Sequence, residues 1–139
     1  GKMSFGSRFH TTDQRRKLNV LSAPTPDAHE LMLCESPEPY RNVLQQLFPF
    51  DRFNRMQTQM VPKVLGSDSS IVLSAPTGSG KTAIFELCIV RLFIERHSDI
   101  KVKAVYLAPS KFLVHQKLQD WEQKFESLAG LKSAALTGD

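Results

Sequence analysis

The chain has 139 residues, enough for one domain with its own core, and its 41% hydrophobic and 23% charged residues are ordinary for a globular protein. No apolar run approaches the roughly 20 residues that span a bilayer, no signal peptide opens the sequence, and the two isolated cysteines exclude a disulfide framework or a zinc finger. The net charge is +4. The first 39 residues carry five basic and five acidic side chains, so the whole excess of positive charge lies in residues 40–139. This distribution weakly favours a polyanionic partner.

A flexible leader is predicted for residues 1–38, because this segment has few apolar residues at regular spacing and is interrupted by prolines. Ser36 followed by Pro37 is typical of a helix start, and the apolar residues after it recur at helical spacing as far as Pro49. The sequence therefore predicts a first helix between these points, at the beginning of a folded unit that comprises residues 39–139.

A second helix is predicted between Phe53 and Gly66, where apolar residues again follow helical spacing and Pro62 should cause a kink. At its start, Asn54 and Gln57 stand three residues apart. This is the spacing of a helix capping box in which asparagine takes the position of serine.

A phosphate-binding loop is the central prediction. The β-branched run 70–73 predicts a buried strand, and residues 83–97, which contain no glycine or proline, predict a buried helix. Between them lie the loop residues Ala75, Pro76, Thr77, Gly78, Ser79, Gly80, Lys81 and Thr82. A strand, a glycine-bearing loop and a helix opened by Gly-Lys-Thr form the context that a phosphate loop requires, although a Gly/Ser-rich turn before Lys-Thr is the plain alternative.

Each residue type in the loop suits this chemistry. Gly78 and Gly80 permit backbone conformations that are closed to other residues, so that N–H groups can approach an anion. The helix start near Lys81 adds further N–H groups and a positive dipole end. Lys81 can reach the β- and γ-phosphates as a point charge, and the Thr82 hydroxyl can ligate Mg²⁺. We therefore expect a bound nucleoside triphosphate, although Ala75 replaces the usual first glycine.

Two further strands and one amphipathic helix complete the pattern. Strands are predicted at 100–107 and 131–136, with the helix between them at 114–128. The order β-α-β-α-β with short links predicts an α/β fold with a parallel sheet. Because ligands collect at the carboxyl ends of parallel strands, the phosphate loop and the segments 108–111 and 137–139 are expected along one rim.

The motifs and their order resemble the first motor lobe of superfamily 2 helicases, in which the phosphate loop commonly begins with alanine, as it does at Ala75. The signatures of GTPases and of transporter ATPases are absent from the sequence. The segments Phe53–Gln57, Gly80–Leu87 and Leu136–Asp139 look closest to the Ski-type branch, nearest to the meiotic crossover-promoting DNA helicases of the Mer/HFM family. The resemblance covers about residues 40–139, and it implies a partial RecA-like fold.

The resemblance assigns roles to individual residues. Gln57 stands where these helicases carry the glutamine that reads adenine, and a side-chain amide offers the one donor and one acceptor that this requires. The capping-box role of Gln57 stays open beside it. Contacts with the backbone of a nucleic acid strand are implied for Pro109, Ser110, Lys111, Thr137 and Gly138.

The resemblance implies that the parent protein is a nuclear ATP-driven 3′-to-5′ helicase, which uses Mg²⁺ and acts on single-stranded DNA in meiotic recombination. Two alternatives remain open. The parent protein could be a spliceosomal or Ski-type RNA helicase, or the chain could be a non-catalytic module that binds nucleotide or single strands. Neither the second acidic motif that hydrolysis needs nor the second motor lobe is in the sequence. We therefore expect an N-terminal piece of the first lobe that is inactive by itself. The sequence indicates no membrane contact and does not predict an oligomeric state.

Overall fold

The computed structural model describes residues 19–20, 29–95, 102–129 and 131–138. In chain order, the elements are β1 (Asn19–Val20), a short 3₁₀ helix (Leu33–Glu35), α1 (Arg41–Leu47), α2 (Arg55–Gly66), β2 (Ile71–Val72), α3 (Lys81–Glu95) and α4 (Lys111–Ala129). None of the described helices is long and apolar enough to cross a membrane. Helices α2 and α3 pack most extensively against each other, so the helix that follows the glycine loop lies against the helix that carries Gln57.

Three of the four predicted helices form close to where the sequence indicates them. Helix α2 has Asn54 as its N-cap and ends at Gly66, and it continues through Pro62. Helix α3 begins at Lys81, directly after the glycine loop. Helix α4 begins at Lys111 rather than Val114, because Ser110 supplies an acceptor for the first turn. Local signals were sufficient here, since caps and apolar periodicity act within a few residues.

The predicted start of the first helix was wrong by about one turn. Helix α1 begins at Arg41, and the residues before it form a turn in which the Tyr40 N–H donates to the Pro37 carbonyl at 3.1 Å. Ser36 is buried and does not cap the helix; its carbonyl accepts from Arg41 Nε at 3.0 Å. The predicted end is confirmed, because α1 ends at Leu47, two residues before Pro49.

The core lies where α1, α2 and α3 meet. Its four most enclosed large side chains are fully buried: Leu44, Phe53, Met60 and Leu87. Phe53 also packs edge-on against the rings of Phe48 and Phe50, with ring centroids 5.7 Å apart in both pairs. Phe125 brings α4 into the same core. Each such burial is worth roughly 1.5–3 kcal/mol, so the packing of these helices contributes substantially to stability.

The predicted parallel sheet is not confirmed by the described residues. Its only described ladder is a parallel pairing of β1 with β2, in the register Asn19 to Ile71 and Val20 to Val72. The parts of the two later strands that are described, 102–107 and 131–136, form no ladder. A strand needs a neighbour to take its backbone hydrogen bonds, and β2 pairs here over two residues only. An apolar pattern shows that a segment could be a strand, but it does not supply that neighbour.

The predicted leader extends too far into the chain. Residues 29–38 belong to the packed unit, because Leu33 is 2% exposed and its N–H donates to the Asp51 carbonyl at 2.8 Å. Leu31 accepts from the Phe53 N–H at 2.9 Å and donates to the Thr58 hydroxyl at 2.9 Å. These contacts join the segment to the start of α2, so the folded unit begins before residue 39. The remaining part of the predicted leader, apart from β1, lies outside the described residues.

An arginine on α3 connects the ends of two other helices. Arg91 donates to the Val64 carbonyl at 2.9 Å and also to the Ser67 carbonyl, so it covers the C-terminal end of α2. It pairs with Glu95 at 2.9 Å, and the Tyr40 hydroxyl donates to the same carboxylate at 2.6 Å. Burial and the hydrogen bond to Glu95 raise the pKa of Tyr40. This network fixes α3, and therefore the loop before it, against α1 and α2.

Candidate nucleotide-binding site

The glycine loop between β2 and α3 has the backbone conformation that the sequence predicts. Gly78 and Gly80 have φ angles of +80° and +86°, a region in which other residues are strained. Ser79 fixes the turn between them, since both its N–H and its hydroxyl donate to the Pro76 carbonyl, at 3.2 Å and 2.6 Å. Helix α3 starts immediately afterwards, and the first N–H groups of a helix have no partner within the helix itself. The loop therefore presents backbone N–H groups and a positive helix end in one place.

The Lys81 ammonium lies back across this loop. Its Nζ donates to the Ala75 carbonyl and, at 3.3 Å, to the Pro76 carbonyl. Thr82 follows on the first turn of α3, and its side chain is exposed. A cation and a hydroxyl are thus available beside the same loop. This arrangement can bind a phosphate group, with the ammonium exchanging its carbonyl partners for phosphate oxygens.

The start of α2 forms the predicted capping box. The Gln57 N–H donates to Asn54 Oδ1 at 2.9 Å, and the Asn54 N–H donates to Gln57 Oε1 at 3.0 Å. Both side-chain amides also reach the glycine loop: Asn54 Nδ2 donates to the Ser79 carbonyl at 2.9 Å, and Gln57 Nε2 donates to the Gly80 carbonyl at 3.1 Å. These contacts across 25 and 23 residues were not predicted from the sequence.

Gln57 keeps part of its hydrogen-bonding capacity. Its side chain is buried, with 5% of the residue exposed, and its amide uses one N–H and one lone pair in the contacts just described. A side-chain amide has two N–H groups and two lone pairs, so one donor and one acceptor position remain. The adenine-reading role of Gln57 stays a prediction, and the capping box leaves room for it.

An open groove of about 920 Å³ adjoins the loop. Gln57, Gly80 and Thr82 line it on the loop side, and Phe48 and Phe50 contribute aromatic rings. The volume lies in the range of small-molecule sites, which combine apolar walls with a few polar groups. These two phenylalanines were not predicted as site residues, although the Phe-Pro-Phe run a few residues before α2 is visible in the sequence.

A buried carboxylate at the wall of the groove was also not predicted. Glu86 of α3 is 3% exposed and accepts from Trp121 Nε1 at 3.0 Å and from Lys124 Nζ at 2.9 Å. Lys124 also lies 5.5 Å from the centre of the Phe48 ring. The contacts join α4 to α3 on the side of the groove. The signal in the sequence was one acid inside an otherwise apolar helix segment, but nothing local indicated its partners.

A model of the DEAD/DEAH box helicase family matches residues 54–139, which includes the capping box, the glycine loop and α4. The chain belongs to this family. Membership implies a RecA-like α/β fold, of which the described residues contain the helices and one short parallel pair.

The chain is similar to two proteins that are named as DNA helicases and to a third protein with a different name. It is 47% identical over 100 residues to the ATP-dependent DNA helicase homolog MER3 of Arabidopsis thaliana, a match that covers 66% of this chain and 9% of that protein. It is 45% identical over 108 residues to the probable ATP-dependent DNA helicase HFM1 of Xenopus tropicalis, covering 77% and 8%. It is 43% identical over 93 residues to activating signal cointegrator 1 complex subunit 3 of Gallus gallus, covering 67% and 4%. The chain thus spans less than a tenth of the length of these relatives.

The residues predicted to contact a nucleic acid belong to two other segments, one at the start of α4 and one at the end of the described residues. Pro109 and Ser110 precede α4, and Ser110 Oγ accepts from the Leu113 N–H at 3.3 Å, which caps the start of the helix. Lys111 is exposed in the first turn. Thr137 and Gly138 lie outside any helix or strand, at the end of the described residues. Their common rim with the phosphate loop depended on the parallel sheet and stays a prediction.

Proposed function

We propose that this chain is the ATP-binding part of a nuclear, ATP-dependent 3′-to-5′ DNA helicase that acts in meiotic recombination. The observation that carries the proposal is the glycine loop at the start of α3, with the Lys81 ammonium across it, in a chain of the DEAD/DEAH box helicase family. Relatives named MER3 and HFM1, both described as DNA helicases, support the DNA-directed proposal over an RNA helicase.

In this proposal the loop 75–82 surrounds the phosphates of ATP. The N–H groups of the loop and of the first turn of α3 bind phosphate oxygens, and the Lys81 ammonium binds the β- and γ-phosphates. Gln57 reads the adenine through its remaining donor and acceptor, close to the loop that it already contacts. Phe48 and Phe50 provide an apolar wall of the groove.

The Thr82 hydroxyl suits Mg²⁺, because this cation prefers oxygen ligands and is commonly shared between a side chain and phosphates. Among the described residues, no group of three or more His, Cys, Asp or Glu side chains is placed to hold a metal by itself. When bound, Mg²⁺ would neutralise charge on the β- and γ-phosphates. The chain's own contribution is to hold the Thr82 hydroxyl in the first turn of α3, beside the loop.

Contacts with single-stranded DNA are proposed for two segments, 109–111 and 137–138. The N-terminal end of α4 and the adjacent Lys111 suit a strand phosphate, and Thr137 and Gly138 can offer a hydroxyl and an N–H. Such contacts position a strand without reading its bases.

Nucleotide binding tests the first part of the proposal. The affinity of the chain for a fluorescent ATP analogue with Mg²⁺ should fall by about tenfold or more in Lys81→Ala, because a charge-assisted contact to phosphate is lost. Lys63→Ala is the matched control, because it removes one positive charge from the last turn of α2, at the other end of that helix from the capping box. Equal affinities of Lys81→Ala and the unaltered chain would contradict the proposal.

Unwinding by the helicase that carries this chain tests the second part. We expect it to separate duplex DNA with a 3′ single-stranded tail and to leave a 5′-tailed duplex intact. Lys81→Ala should abolish ATP turnover while single-strand binding persists, because the strand contacts lie elsewhere. Unwinding of RNA duplexes alone would favour an RNA helicase instead.

A further inference from the structure

Asn54 takes part in two separate interactions through the two ends of its amide. Its Oδ1 accepts from the Gln57 N–H and caps α2, whereas its Nδ2 donates to the Ser79 carbonyl in the glycine loop. The cap needs only an acceptor, which serine, threonine or aspartate would supply equally well. The contact with the loop also needs a donor, and asparagine carries its acceptor and its donor on two separate atoms, whereas serine and threonine have a single, shorter hydroxyl and aspartate has no donor when ionised.

The contact fixes the direction of a peptide group. In a planar trans peptide the C=O and the following N–H point in opposite directions. Because Asn54 holds the Ser79 carbonyl towards α2, the N–H of Gly80 in the same peptide unit must point away from α2. Gln57 holds the Gly80 carbonyl in the same way, which turns the Lys81 N–H in the corresponding direction. The cap of α2 thus orients two successive N–H groups of the phosphate loop.

The packing around Gly80 independently supports this docking. A Cβ at Gly80 would overlap Gln57 Nε2 and would lie 3.3 Å from Asn54 Nδ2. At Gly78, where φ is also positive, a Cβ would meet nothing within 4 Å. The two loop glycines therefore serve different purposes: Gly78 permits the turn, whereas Gly80 also lets the loop backbone approach the two amides.

We propose that Asn54 is a positioning residue for the phosphate loop, acting through its Nδ2 contact with the Ser79 carbonyl. The inference rests on the proposed binding of ATP at residues 75–82. Asn54 holds the Ser79–Gly80 peptide so that its N–H is already aimed at phosphate before the nucleotide arrives. This lowers the cost of ordering the loop, and the gain is realised as nucleotide affinity.

Two substitutions separate the cap from the loop contact. Asn54→Ser keeps an acceptor for the Gln57 N–H but loses the contact with the loop, because the hydroxyl that caps the helix sits on a shorter side chain and does not extend to the Ser79 carbonyl as Nδ2 does. Asn54→Ala removes both. We expect Asn54→Ser to melt close to the unaltered chain and Asn54→Ala to melt lower. Both should bind a fluorescent ATP analogue with Mg²⁺ about two- to tenfold more weakly, which is the range for one net hydrogen bond.

Amide hydrogen exchange of the nucleotide-free chain provides a readout that does not depend on ATP. Asn54→Ser should accelerate exchange in peptides that cover residues 76–82 and leave those that cover the rest of α2 unchanged. If Asn54→Ser has unaltered affinity and unaltered exchange in the loop, the inference is overturned.

The two proposals fail in distinguishable ways. If Lys81→Ala and the unaltered chain bind nucleotide equally, the proposed ATP site fails, and faster loop exchange in Asn54→Ser still supports the orienting contact. If Lys81→Ala abolishes binding while Asn54→Ser changes neither affinity nor exchange, the ATP site stands and the role of Asn54 is refuted.

Discussion

The buried pair of Glu86 and Lys124 allows a stability prediction that distinguishes its two members. The Glu86 side chain is 4% exposed, whereas that of Lys124 is 31% exposed. Removing one partner of a fully buried pair costs about 3–5 kcal/mol, because the other charge is left without compensation. The cost depends on which charge is left: the Lys124 ammonium is partly exposed to water when its partner is removed, whereas the Glu86 carboxylate is almost entirely shielded from it.

Lys124→Met should therefore be the more damaging substitution. It leaves Glu86 buried with the Trp121 indole as its remaining donor in the described contacts, so we expect a loss of about 2–3 kcal/mol after allowing for partial exposure of the pair. Glu86→Gln keeps an acceptor for Trp121 Nε1 and should cost about 1 kcal/mol. The double substitution should cost less than the sum of the two, because the buried carboxylate is then absent.

Urea unfolding followed by fluorescence measures these differences directly, since Trp121 is the only tryptophan in the chain and lies at the contact. Lys117→Met is the matched control on the same helix. Its partner Asp120 is 3.5 Å away and exposed, so its loss should cost no more than about 1 kcal/mol. If Glu86→Gln is as costly as Lys124→Met, or the two effects are additive, the asymmetry argued from burial is refuted.

Two further predictions concern the loop and the alkaline limit of stability. Gly80→Ala should destabilise the chain by about 1–3 kcal/mol in urea unfolding, because φ is +86° and a Cβ would overlap Gln57; the control Gly66→Ala, with no atom within 4 Å of its Cβ, should be neutral or slightly stabilising. Equal effects of the two would contradict the account of the loop. For Tyr40, burial and then the Glu95 contact raise the pKa from its ordinary value of 10.0. Below that value both states are neutral, and above it the unfolded chain ionises first, so the folded state loses stability as pH rises. The stability advantage of the unaltered chain over Tyr40→Phe should therefore shrink as the pH rises above about 10, whereas a constant difference would exclude this linkage.

The apolar and glycine patterns of the sequence predicted secondary structure correctly where that structure depends on local interactions. The Asn54–Gln57 capping box, the end of α2 at Gly66 and the start of α3 after Gly80 all depend on contacts within a few residues, so the order of residues alone is enough to indicate them. The start of α1 was misplaced because Ser36 has the chemistry of a cap but is buried beneath the turn that precedes Arg41. A local signal was present there, and packing overrode it.

The strand predictions show the opposite case. The segments at 102–107 and 131–136 have the apolar character of strands, yet they form no ladder in the described residues, and Val105, Leu107 and Leu136 are exposed. Alternation of side chains depends on one segment, whereas a ladder depends on two segments that meet. The sequence could therefore indicate that these segments are suited to a sheet without establishing their partners.

The sequence by itself determined the glycine loop, the helix that follows it and the capping box, because glycine conformations and helix caps are set by neighbouring residues. Only the tertiary structure decided that the box docks on the Ser79 and Gly80 carbonyls and that Glu86 pairs with Lys124 on α4. The partners in these contacts are 23 to 38 residues apart in the chain. Helix packing brings them together, and a periodic pattern along one segment carries no information about which distant side chain it will meet.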